Sequence, residues 1–119
     1  TPVQVGLAHA LNDLDPNYLT ELRKQYDENR MFLCEVLEKA GLKIAKPKGT
    51  YFVIADFSEK FDGNDKEFAK HLIEKHGVAA IPPSVFYSAK PQAGEKLIRF
   101  AFCKKPETLQ AAAERLAKL

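Results

Sequence analysis

One arginine stands in a strand-like run of otherwise apolar residues, Leu97-Ile98-Arg99-Phe100-Ala101-Phe102. Side chains alternate between faces along a strand, so Ile98, Phe100 and Phe102 share one face, and Leu97, Arg99, Ala101 and Cys103 share the other. A guanidinium held among apolar neighbours loses hydration that only a partner restores. Its planar fork takes a carboxylate through two parallel hydrogen bonds, which makes an acid-bearing ligand the specific reading. A structural ion pair or a solvent-facing strand edge is the commoner role for such a residue, and the strand alone leaves both open.

Two aromatic positions join Arg99 as candidates. Tyr51 opens a strand directly after the turn Pro47-Lys48-Gly49, where it serves either as a core aromatic or as the wall of a ligand site. Phe86 and Tyr87 follow the stiff pair Pro82-Pro83 and carry the same two readings. No metal site is legible, because His9, His71 and His76 have no cysteine or acidic partner at ligand spacing. The local sequence suggests neither a nucleophile with its base nor a glycine-rich phosphate loop. No residue is therefore assigned a catalytic, cofactor-binding or metal-binding role.

The chain of 119 residues is large enough for one core, and its composition, 45% hydrophobic and 29% charged, is that of a globular domain. A net charge of +2 with scattered lysines gives no footprint for nucleic acid. No apolar run approaches the roughly 20 residues of a membrane span, and residue 1 is not followed by a signal-peptide pattern. Cys34 and Cys103 lie in no paired motif and read as small buried hydrophobes of a reducing compartment.

The elements that must carry these residues are marked by local signals. Thr1 and Pro2 open a short helix with Val3, Val5, Leu7, Ala8 and Leu11, apolar for its length, as in a chain cut from something larger. Asp15 and Pro16 start a long helix with the stripe Leu19, Leu22, Tyr26, Leu33, Leu37 and Ala40, stopped by Gly41. Strands are expected over 42–45 and 50–57, paired antiparallel across the Gly49 turn. Asn64 with Glu67 forms a capping box for a third helix that buries Phe68, Ala69, Leu72 and Ile73 and ends at Gly77. A brief strand over 78–81, the Arg99 strand, and a helix from Pro106 carrying Leu109, Ala112, Ala113, Leu116 and Leu119 complete the order α-α-β-β-α-β-β-α. The order predicts an α+β, two-layer domain: a small, mostly antiparallel sheet covered by helices and preceded by two N-terminal helices.

The segments Pro47-Lys48-Gly49-Thr50-Tyr51-Phe52, Ile81-Pro82-Pro83-Ser84-Val85-Phe86-Tyr87-Ser88 and Ile98-Arg99-Phe100-Ala101-Phe102-Cys103-Lys104 together resemble the C-terminal part of class I/II pyridoxal-phosphate aminotransferases. The likeness is greatest to the kynurenine aminotransferase, glutamine transaminase and cysteine-conjugate β-lyase group, and it runs along essentially the whole chain. It implies that residues 1–119 form the small domain of a fold type I enzyme, with residues 1–14 as an interdomain helix. It implies that Arg99 grips the substrate α-carboxylate, that Tyr51 lies near the substrate side chain, and that Phe86 stands at the entrance. The implied reaction moves an amino group between an L-amino acid, of kynurenine, glutamine, methionine or aromatic type, and a 2-oxo acid. Pyridoxal phosphate would be held by a preceding large domain, since none of the fourteen lysines here lies in the family's serine-rich imine-forming motif. The isolated chain is then expected to be inactive and monomeric, the longer enzyme homodimeric and cytoplasmic. The alternative is a stand-alone α+β module that binds a small carboxylate or a protein partner.

Overall fold

Helix boundaries follow the local signals in a computed structural model that describes residues 1–119, the side chain of residue 91 excepted. Helix α1 spans Pro2–Asp13. Helix α2 spans Pro16–Lys39, with the Asp15 carboxylate accepting from the Asn17 N–H at 2.8 Å and Gly41 turning out at φ 83°. Helix α3, Asp65–His71, carries the full capping box: Asn64 accepts from the Glu67 N–H at 3.0 Å, and Glu67 accepts from the Asn64 N–H at 2.8 Å. It then widens into a π turn, Leu72–His76, that closes at left-handed Gly77. Arg115 from helix α4, Pro106–Leu116, donates to the Gly77 carbonyl at 2.7 Å and so satisfies one of the carbonyls orphaned at that end.

Three strands pair antiparallel in the order β1-β2-β3: Lys43–Ile44, Phe52–Asp56 and Leu97–Ala101. The register sets Val53 opposite Phe100 and Ile54 opposite Arg99. Because side chains alternate, Val53, Ala55, Ile98 and Phe100 go to one face, and Phe52, Ile54, Leu97, Arg99 and Ala101 go to the other. The first set is buried and the second is partly open. The strand expected over 78–81 is reduced to a single bridge, in which Ile81 and Arg99 exchange two backbone hydrogen bonds of 3.0 Å. Pro82 and Pro83 follow at once, and proline cannot donate to a ladder, so pairing stops there. Two short 3-10 turns, Pro83–Phe86 and Pro91–Gly94, fill the connection to β3.

The core lies between the inner sheet face and the helices. Phe57 and Phe68 stack at 4.2 Å between ring centroids, and Leu37, Leu72, Ile98, Phe102 and Leu116 close around them. Cys34 is buried there as expected of a small hydrophobe; burial pushes its thiol above the ordinary value, against the pull of Arg30 and Lys46. Cys103 is only partly covered.

Two apolar stripes do not reach this core. Every residue of α1 from Val3 to Leu11 is exposed, and α2 buries only its second half, leaving Leu19 exposed and Leu22 half-covered. Ile73, expected in the core, lies in the π turn and is exposed, while its neighbour Leu72 is fully buried. The Cα radius of gyration is 17.1 Å, against about 13.5 Å for a compact domain of this length. The excess comes from α1 and the first half of α2, which project beyond the packed part.

Deleting the ring of Phe68 removes the centre of the aromatic stack. Phe68→Ala is expected to destabilise the fold by about 3–5 kcal/mol, measured as the midpoint shift in urea unfolding at unchanged slope.

Candidate functional site

Around Arg99 the outer face of the sheet is apolar, formed by Phe52, Ile54, Leu97 and Ala101, with Asp56 and Lys43 farther along it. The Arg99 guanidinium lies over the Phe52 ring, 4.0 Å from its centroid. Tyr51 and Phe86 flank it, with centroids 5.5 and 5.8 Å from Arg99 Cζ. Arg99 Nη2 donates to the Tyr51 hydroxyl at 3.2 Å. The buried Nε–H has no hydrogen-bond partner, and among the described residues no carboxylate forms an ion pair with this arginine. The three residues singled out from the sequence, Arg99, Tyr51 and Phe86, thus converge from three separate stretches of chain.

Each is placed by an identifiable local device. Arg99 sits mid-strand, with its backbone held on the β3 edge by Ile81. Tyr51 follows Thr50, whose φ of 68° is a left-handed conformation that a β-branched residue adopts only at a cost of about 1–3 kcal/mol. That strained step lets the chain leave the Gly49 turn and still enter β2, where the Tyr51 carbonyl accepts from the Phe102 N–H at 2.8 Å. Phe86 closes the Pro83–Phe86 turn and remains largely exposed.

Phe52 was missed as a site residue. Its signal was the register itself: once Ile54 faces Arg99, Phe52 lies diagonally across the same face, within reach of a long side chain. The arrangement can hold an anion and screen it. Phe52 supports the guanidinium through cation–π attraction, the aromatic flanks limit water, and unused N–H donors remain. Among the described residues it contains no nucleophile and no base beside the arginine.

The remaining candidates do not assemble into sites. His71 packs against Phe61 and His76, with ring centroids 5.1 and 5.5 Å away, while His9 is exposed on α1. Among the described residues no group of three potential ligands could hold a metal ion, and no helix is long and apolar enough to cross a membrane.

The chain matches the family model for class I and II aminotransferases over residues 1–116. It is 44% identical to the methionine aminotransferase of Escherichia coli K12 over 119 residues, covering 100% of this chain and 30% of that protein. It is 35% identical to the probable kynurenine–oxoglutarate transaminase of Saccharomyces cerevisiae, covering 100% of this chain and again 30% of the relative. Among solved structures, YbdL of Escherichia coli, described as a methionine aminotransferase, superposes with a TM-score of 0.86 at 42% identity, over 100% of this chain and 30% of that one. The chain belongs to the class I and II aminotransferase family. It spans about 30% of the length of the relatives it matches.

The family depends on pyridoxal phosphate. The residues present do not fit that group by themselves. An imine-forming lysine needs an enclosed setting that lowers its pKa, whereas all fourteen lysines are exposed and Lys43, held by Glu59, is shifted upward.

Among the described residues the Arg99 cation has no ion-pair partner, and a partly buried charge left unpaired costs stability. Arg99→Met keeps the apolar stem over Phe52 and removes the charge. Its unfolding midpoint is expected to match or exceed that of the parent, and a loss greater than about 1 kcal/mol would show that the guanidinium is a structural element.

Proposed function

We propose that this chain is the small domain of a pyridoxal-phosphate aminotransferase and that Arg99 binds the carboxylate of its amino-acid and 2-oxo-acid substrates. The observation that carries the reading is the unpaired guanidinium on the open face of the sheet, with a buried Nε–H lacking a partner. A carboxylate meets that cation with two parallel hydrogen bonds and supplies the missing negative charge. Membership of the family supports the same assignment, as do relatives named for methionine and kynurenine.

In this role Arg99 holds and orients the substrate and takes no part in bond breaking. Fixing the carboxylate fixes the Cα substituents with it, and alignment of that kind lowers the barrier without further chemistry from the arginine. Tyr51 steadies the guanidinium through its hydroxyl and borders the substrate side chain, and Phe86 borders the entrance. The imine-forming lysine and the groups that hold the cofactor belong to a large domain outside these residues. Helix α1 is the connection toward it, which gives its exposed apolar residues a surface to cover. The whole enzyme would transfer an amino group from an L-amino acid of kynurenine, glutamine, methionine or aromatic type, and would act as a cytoplasmic homodimer; the 119 residues alone would not.

In the assembled enzyme, Arg99→Lys is expected to raise KM for both the amino acid and the 2-oxo acid by about tenfold to a hundredfold, the loss of one charge-assisted hydrogen bond of the fork. Steady-state kinetics with L-methionine tests this, and an unchanged KM removes Arg99 from the role.

A further inference from the structure

The turn that carries Phe86 is pinned from the inside by a carboxylate that the site itself does not use. Asp65, in the first turn of α3, is 1% exposed. Its Oδ2 accepts from the Ser84 N–H at 2.7 Å, and its Oδ1 accepts from the Ser84 hydroxyl at 3.0 Å and from the Lys66 N–H at 3.0 Å. Among the described residues no cation pairs with it. A buried carboxylate is tolerated only when donors meet its oxygens, and two of its three donors come from one residue, 19 positions along the chain.

Ser84 is held on two further sides. A side chain at Gly94 would place its Cβ 2.8 Å from the Ser84 nitrogen and 3.0 Å from its Cα, so the two 3-10 turns pack backbone against backbone. Ile81, three residues earlier, is tied to the backbone of Arg99 itself. Phe86, two residues after Ser84, is 64% exposed and yet stands with its ring 5.8 Å from Arg99 Cζ. An exposed ring has little packing of its own to fix it, so its place is set by the turn beneath.

We propose that Asp65 is a positioning residue of the Arg99 site, fixing the Pro83–Phe86 turn through both Ser84 donors so that Phe86 covers the guanidinium. The proposal rests on the reading of Arg99 as the carboxylate binder. A ring over the cation excludes water, and a less hydrated, less screened charge holds a carboxylate more tightly. No hydrogen bond or ion pair joins Asp65 to Arg99 among the described residues, so its influence passes through Ser84 and Phe86.

Asp65→Asn keeps the shape but replaces one acceptor oxygen with an N–H2 donor, which faces a backbone N–H whichever way the amide is turned. In the chain itself, amide exchange at Ser84 and Tyr87 is expected to quicken by about tenfold while the ladder amides of Val53 and Phe100 keep their rates. Uniform acceleration would mean a merely structural role and would overturn the proposal. In the assembled enzyme, Asp65→Asn is expected to raise KM for L-methionine by about threefold to tenfold with kcat within about twofold. Adding it to Phe86→Ala should raise KM no further than Phe86→Ala does alone. Additive effects in the double variant overturn the proposed route through Phe86. An unchanged KM for Asp65→Asn alone overturns the positioning role, whereas an unchanged KM for Arg99→Lys overturns the carboxylate reading and this one with it.

Discussion

A guanidinium fixed in the middle of a β-strand, with no counter-ion among the described residues, is a constraint that the rest of the domain must satisfy. It is held on the outer face because β3 alternates, and β3 can afford one charged position only because Ile98, Phe100 and Phe102 anchor the opposite face in the core. The stacked pair Phe57 and Phe68, with Leu37 and Leu116 around it, offsets a cost that the outer face does not repay within this chain. Such a local conflict, an unsatisfied polar group beside a strained Thr50, is the pattern expected of a binding site set on a stable scaffold.

The sheet face and the two projecting helices share one property: each presents surface that this chain does not cover. On the face the uncovered group is a cation, matched by a substrate carboxylate in the proposed function. On α1 and the first half of α2 it is a row of apolar side chains, Val3 and Leu11 among them, matched in the same reading by a large domain. Membership of the aminotransferase family, with about 30% of its relatives' length represented, is consistent with both.

Much of the fold was legible because its signals are local. The Asp15 cap, the Asn64–Glu67 capping box and the stop at Gly41 each act within a few residues, and the structure has them where the residue types put them. The alternation around Arg99 was equally legible, since period two follows from backbone geometry alone. What escaped depends on contacts distant in sequence. Periodicity showed that Leu19 and Ile73 lie on apolar stripes, but a stripe does not say whether anything packs on it. The strand expected over 78–81 failed because a strand is defined by its partner, and only Ile81 found one. Asp65 stands one position past the Asn64 cap, and nothing near it in the chain announces its bonds to Ser84, 19 positions away. The convergence of Arg99, Tyr51 and Phe86 was suggested by resemblance to the family; the aromatic support from Phe52 required the strand register.

The most direct test is a crystal structure of the assembled enzyme with a bound amino acid or an unreactive carboxylate analogue. The account predicts the ligand carboxylate about 2.8 Å from two nitrogens of Arg99, with the ring of Phe86 over the contact. A carboxylate bound elsewhere, with Arg99 still resting on the Tyr51 hydroxyl, would contradict it.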